Sequence, residues 1–188
     1  MIGNDIVDLK QAAKDSNWKR PRFLDKVFTQ KEQLISSSSE NKVQMVWLLW
    51  SMKEAAYKAY VRETQHSFFN PKRIQCQLGL NNKGVVCIDN KTYNMKSVIT
   101  SEYVHSIAKK NDAKFPEIHL FKVNNSKLSE TVKTRIVNHI ASKKGKDLRR
   151  ITLRKTELGV PNVYVNKEQI VDALTISHHG KFGAFAMC

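Results

Sequence analysis

Residues 47–60 read WLLWSMKEAAYKAY, placing Lys53, Glu54 and Lys58 inside a strongly hydrophobic run. On a helix, residues four apart share a face, so Glu54 and Lys58 project together, with Trp50 one turn earlier. The ordinary reason for such a pair is an ion pair on a solvated face, worth only a few tenths of a kcal/mol. Here MVWLLW precedes the pair and AAYKAY follows it, which leaves this helix little fully polar surface. A partly buried carboxylate needs a cation or a metal to offset its desolvation.

The first residues pose the same question. In GNDIVDL (3–9), Asp5 sits among Ile2, Ile6 and Leu9, with Gly3 just ahead of it. Strand alternation places Asp5 and Val7 on one face and Ile6 and Asp8 on the other. A turn or cap aspartate is the competing reading. Asp5 and Glu54 brought together would make an all-oxygen site. Such hard ligands suit Mg²⁺, which takes one or two protein carboxylates along with waters and phosphate oxygens. A third element is ISHHG (176–180), where His178 stands among small residues and is followed by Gly180 and Lys181. A lone strand histidine is more often structural. Beside a polyphosphate it becomes a donor to phosphate oxygens, neutral or cationic.

The elements that must position these residues can be read from pattern. A short helix is expected over 29–35, a polar loop at SSSSENK (36–42), and a central helix from about 43 to 61. RIQCQLGL and GVVCIDN, joined by NNK, predict a hairpin, and EYVHSIAKK a further strand. The polar, Pro-containing KKNDAKFPE (109–117) is the expected lobe boundary, giving lobes 1–112 and 113–188. The second lobe opens with the strand EIHLFKV. An amphipathic helix follows, carrying Leu128, Val132, Ile136 and Ile140 at four-residue spacing, with Ser126 or Ser129 available as N-cap. ITLRK and NVYV alternate as strands, and ALTISHHGKFGAFAM predicts a closing hairpin. Each half reads as a helix, then strands, then a strand bearing histidine (YVHSIA and TISHHG). The fold class expected is α+β, with two similar lobes.

Composition narrows the partners. The chain of 188 residues carries 32 basic against 17 acidic residues, a formal net charge of +15. Such a field attracts polyanions and speeds their encounter. Its longest apolar run is far short of the roughly 20 residues a membrane span needs. The start MIGNDIVDLK lacks a basic-then-apolar secretory pattern. Cys76, Cys87 and Cys188 are odd in number with no CxxC spacing, which argues for reduced thiols in the cytoplasm and against a zinc site.

Together these residues resemble the 4′-phosphopantetheinyl transferase superfamily. Its hallmarks are an early G-x-D, a central W-S-x-K-E helix with a lysine four residues after the glutamate, a G-x-P segment and an I-S-H strand. They stand here as GND (3–5), WSMKEAAYK (50–58), GVP (159–161) and ISH (176–178), with VFTQKE (27–32) similar to the helix start that precedes the central helix. Motif order resembles the short holo-acyl-carrier-protein synthase type. The chain is longer than that type and carries both lobes, as in the monomeric pseudo-dimer of the surfactin-synthetase type, but with the I-S-H lobe last, as if permuted. The resemblance implies that Asp5 and Glu54 hold Mg²⁺ against the coenzyme A pyrophosphate and that Lys53 and Lys58 contact phosphates or the leaving group. It further implies that His178 touches the 3′-phosphate, that Lys133 supplies a cation from the other lobe's helix, and that Glu54 or a water it orients is the base. Val7 and Val160 depart from the family pattern. Arg154 and Lys155 are the neighbours able to replace the lysine missing at Val160, and Asp8 is a candidate outer partner of the metal.

The implied reaction moves phosphopantetheine from coenzyme A to a serine of an acidic acyl or peptidyl carrier protein. Two rivals stand beside it: an inactive relative that binds coenzyme A or a carrier, and a basic nucleic-acid-binding module. The second requires exposed aromatics among its basic residues, whereas Trp47, Trp50 and Tyr57 fall in the core-like helix.

Overall fold

In a computed structural model the protein is described over residues 1–111, 113, 115–123 and 127–188. The chain opens with strand β1 (Ile2–Asp8), three short helices α1 (Leu9–Asp15), α2 (Phe23–Val27) and α3 (Gln30–Ser38), and the long helix α4 (Lys42–Thr64). Strands β2 (Ile74–Leu78), β3 (Lys83–Ile88), β4 (Lys91–Ile99) and β5 (Tyr103–Lys109) complete the first half. The second half runs β6 (Glu117–Lys122), α5 (Leu128–Lys144), β7 (Ile151–Lys155), β8 (Pro161–Val165), β9 (Glu168–Gln169), β10 (Leu174–His179) and β11 (Phe182–Met187). The mixed α+β expectation is met.

Local chemistry accounts for the element ends. Thr29 caps α3 in a capping box with Glu32, and Asn41 caps α4 by accepting from the Gln44 N–H. Helix α3 runs through Ser38, so the serine tract expected as a loop is helical over its first three residues. The first turn of α5 starts after Lys127 with no side-chain cap; Ser129 lies inside the helix, and Ser126 falls outside the described residues. Gly145, at φ +59°, closes α5 in the left-handed conformation. The expected boundary falls between β5 and β6, with Asp112 outside the described residues.

The larger sheet is antiparallel with order β1-β5-β4-β3-β2, and α4 covers one face. In the second half, β10-β11-β6 form one sheet and β7-β8-β9 another. The two halves share a strand order, but it does not align the histidine strands as expected. The first strand of each half pairs antiparallel with the last, and the last with the one before it: β1-β5-β4 and β6-β11-β10. By this order TISHH in β10 corresponds to β4, not to YVHSIA in β5. Strand β4 itself was not anticipated; its inward residues are Tyr93, Met95 and Ser97.

Strand β1 is buried along almost its whole length, because both of its faces are covered. Ile6 packs with Phe182 and Ala184, while Ile2 joins Ala173 and Ala186. Asn4, fully buried, donates its main-chain and side-chain N–H groups to Thr175 Oγ1 at 3.0 and 3.2 Å and accepts from Ser177 Oγ. On the opposite face, a Cβ added at Gly3 would lie 2.0 Å from the Ala55 carbonyl oxygen and 2.8 Å from the Ala59 nitrogen. Only a glycine lets strand and helix backbones meet this closely. Ser51 Oγ and Lys58 Nζ then reach the strand's carbonyls at Asp5 and Asn4, at 3.1 and 2.9 Å.

Lys53 points elsewhere. It is 1% exposed, pairs with Glu32 Oε2 at 2.8 Å and donates to the carbonyls of Pro71 and Ile74. Glu32, equally buried, also accepts from the N–H groups of Cys76 and Thr29. The pair fastens α3, α4 and β2 together.

Two substitutions test this packing. Gly3→Ala is expected to lower stability by about 1–3 kcal/mol through overpacking, read as a fall in the denaturant midpoint. Lys53→Met, which strands the buried Glu32 carboxylate, is expected to cost about 3 kcal/mol or more in the same measurement.

Candidate active site

The sequence stretch KE splits because consecutive helical residues project about 100° apart. While Lys53 turns into the first half's core, the strip Trp50, Glu54, Tyr57, Lys58 and Arg62 faces the second half. Two cavities open along it. One, of about 320 Å³, is lined by Asp5, Lys58, Arg62, Lys155, the Gly159–Pro161 turn and His178. The other is lined by Asp5, Trp47, Trp50, Glu54, His178 and His179. Asp5 and His178 line both, so the two run into one cleft of ligand-binding size between the halves.

Asp5 and Glu54 thus share a cavity wall as expected, although 49 positions of sequence separate them (54 − 5). Lys58 Nζ lies 2.9 Å from Asp5 Oδ1. Burial raises the Asp5 carboxyl above its ordinary value despite Lys58, and burial together with the Asp5 charge raises Glu54. Among the described residues Glu54 makes no hydrogen bond or ion pair. Of the two carboxylates Lys58 pairs with Asp5 alone, so these three groups carry a net negative charge once both carboxylates ionise. In the same cavity the Trp47 indole nitrogen is buried without a hydrogen-bond partner among the described residues.

His178 is exposed where it lines both cavities, and its imidazole is held below its ordinary value by desolvation and then by the charges of Lys58 and Lys155. It is therefore neutral near pH 7 and keeps one N–H to donate. His179 was not singled out from sequence. Its Nδ1 accepts from the Asp8 main-chain N–H at 3.0 Å, which leaves the proton on Nε2, 3.5 Å from Asp15 Oδ2. Arg62 was also missed. It donates to Asn162 Oδ1 and to the carbonyls of Pro161 and Leu174, at 3.1, 2.5 and 2.7 Å, and so latches α4 to the second half. The signal was available, since Glu54, Lys58 and Arg62 continue one series of four-residue steps.

Three expectations are corrected. Lys53 is no phosphate contact, being enclosed with Glu32 away from the cleft. Lys133 is exposed on α5 and lines neither cavity; Val132, one position earlier, takes the core-facing place. Asp8 is not poised beside a metal. Its Oδ1 caps α1 through the N–H groups of Lys10 and Gln11, and its Oδ2 accepts from the Lys181 N–H at 3.0 Å. Val160, where the family pattern has lysine, is buried in the core of the first half. Of the two neighbours considered as substitutes, Lys155 lines the cleft and Arg154 does not.

No curated protein sequence matches the chain. Among solved structures it is similar to the Helicobacter pylori holo-[acyl-carrier-protein] synthase in complex with coenzyme A, at 15% identity and TM-score 0.48, covering 59% of this chain and 100% of that one. It is also similar to the Thermotoga maritima holo-[acyl-carrier-protein] synthase, at 11% identity and TM-score 0.43, covering 89% of this chain and 83% of that one. A family model, ACPS, of the 4′-phosphopantetheinyl transferase superfamily matches residues 1–108, which include Asp5, Glu54 and Lys58. With more than half of its length matched, the chain belongs to the 4′-phosphopantetheinyl transferase superfamily.

Proposed function

We propose that the protein transfers 4′-phosphopantetheine from coenzyme A to a serine of an acyl or peptidyl carrier protein, with Mg²⁺, in the cytoplasm. The observation that carries this reading is the pair of partly buried carboxylates, Asp5 and Glu54, on one cavity wall, with an ammonium, Lys58, paired to Asp5 alone. Their all-oxygen donor set and uncompensated charge fit a hard divalent cation. Mg²⁺ bound there would neutralise charge on the diphosphate and orient it.

The chain's own residues have distinct tasks. Lys58, held by Asp5 and the Asn4 carbonyl, presents a fixed positive charge to the leaving phosphate. His178 donates one N–H to a phosphate oxygen, and Lys155 supplies the cation that Val160 does not. Glu54, its carboxyl raised by burial, takes the serine proton directly or through a water it orients. The serine oxygen bonds to the phosphorus on the pantetheine side, the bond from that phosphorus to the bridging oxygen breaks, and 3′,5′-ADP leaves. The two halves act as a pseudo-dimer within one chain, so a monomer suffices. The net charge of +15 favours an acidic carrier and the anionic coenzyme.

The direct test is intact mass of apo carrier proteins after incubation with coenzyme A and Mg²⁺. Glu54→Gln and Asp5→Asn are each expected to lower transfer by at least about 100-fold with the fold retained; full activity in both removes the proposed site. High salt is expected to raise the Michaelis constant for the carrier.

A pH dependence follows from the raised carboxyls. Their stabilising protonated forms are fully present below the ordinary values of 3.8 and 4.5 and are lost as pH rises through the higher folded-state values. Without Mg²⁺, Glu54→Gln is therefore expected to gain stability over the parent as pH rises from about 4 to about 7. Adding Mg²⁺ is expected to stabilise the parent more than this variant, as read by denaturant midpoints.

A further inference from the structure

Away from the cleft, three metal-binding side chains meet where β6 and α5 come together. Glu117 and His119, two apart, share one face of β6, and His139 reaches them from α5. We propose that Glu117, His119 and His139 form a second metal site, of the Zn²⁺ class, that staples β6 to α5.

The geometry supports this in four ways. Both imidazole Nε2 atoms lie 3.0 Å from the same carboxylate oxygen, Glu117 Oε1, and the three donor atoms fall within 4.8 Å of one another. His139 Nε2 is sealed from solvent yet makes no hydrogen bond among the described residues, because its 3.0 Å approach to Glu117 is not along a donor direction. A buried ring nitrogen left so is costly unless something else meets its lone pair. The rings are also held in place: His119 stacks on Phe185 at 4.4 Å and 13°, and its centroid lies 4.1 Å from that of His139. Finally, Lys143 occupies the other Glu117 oxygen, Oε2, so Oε1, which already meets both imidazoles, is the oxygen turned toward the metal position.

Two cations flank the cluster, and neither takes the metal's place. Lys143 remains on Oε2 as an outer partner of the ligating carboxylate, and Arg135 stacks over Phe121 at 4.3 Å. Two imidazoles and one carboxylate suit Zn²⁺, whereas Mg²⁺ favours oxygen alone. Three protein ligands leave a fourth position, which opens to the shallow surface cavity lined by His119, His139 and Arg135. The cysteine pattern argued against zinc by way of thiolates, and this donor set uses none.

The test is calorimetric titration of the full chain with zinc chloride in excess Mg²⁺, which occupies the cleft's carboxylates. One equivalent is expected to bind, with a rise in melting temperature. His139→Gln and Glu117→Gln are expected to weaken binding by at least about tenfold, while Asp5→Asn binds as the parent does. Co²⁺ in place of zinc is expected to give visible absorption in the parent that His139→Gln lacks. Should either variant fail to fold, the Co²⁺ spectrum of the parent decides alone: no visible band overturns the site. Equal zinc binding by His139→Gln, loss of binding in Asp5→Asn, or no binding by the parent overturns it as well.

Discussion

Everything at the cleft depends on the contact between Gly3 and the backbone of α4. A strand normally stands off a helix by the depth of its side chains. Here the Ala55 carbonyl occupies the place where a Cβ would be. The gain is positional. Asp5, two residues on and on the same face of β1, arrives within reach of Lys58, and Ser51 and Lys58 tie the strand's carbonyls to the helix. A longer side chain at position 3 would push the carboxylate away from its partners on the helix.

The same strand also couples the two halves. Its odd-numbered residues serve α4 and the cleft, while Asn4, Ile6 and Asp8 bond or pack against the closing hairpin. Asp8 shows how tightly that side is used: a Cβ at Gly180 would come within 2.3 Å of its Oδ2, and the adjacent Lys181 N–H donates to that oxygen. Arg62 repeats the coupling from the helix side. The cleft is therefore walled by groups whose positions are fixed from both halves, as preorganised electrostatics require.

How much of this could be read from sequence follows the same logic. That Glu54 and Lys58 share a face was legible from four-residue helical spacing, whereas the meeting of Asp5 and His178 with them was implied by the family resemblance and not by any local pattern. Lys53 was misread because adjacency in sequence is divergence on a helix, and only the buried Glu32 reveals its destination. Strand β4 was overlooked because KTYNMKSVI turns just Tyr93, Met95 and Ser97 inward, an alternation too polar to stand out. Asp8 was ambiguous: metal partner and helix cap call for the same residue type, and α1 decides between them. The meeting of His119 with His139 depends on how α5 lies on its sheet, which no local pattern encodes.

Glu54 and Asp5 leave a local conflict in a well-satisfied structure. Each is desolvated, the Asp5 charge opposes the ionisation of Glu54, and of the two Lys58 pairs with Asp5 alone. A fold selected for stability alone would neutralise one of them, as Glu32 and Lys53 neutralise each other a single turn-width away. The contrast is informative because both carboxylates at stake, Glu32 and Glu54, are met by the same helix. Where the carboxylate is structural, it is saturated with a cation and two main-chain donors; where it faces the cleft, among the described residues it has none. Unmet charge on a rigid wall is what a cation and a diphosphate can complete, and the surrounding packing is what keeps the wall from relaxing without them.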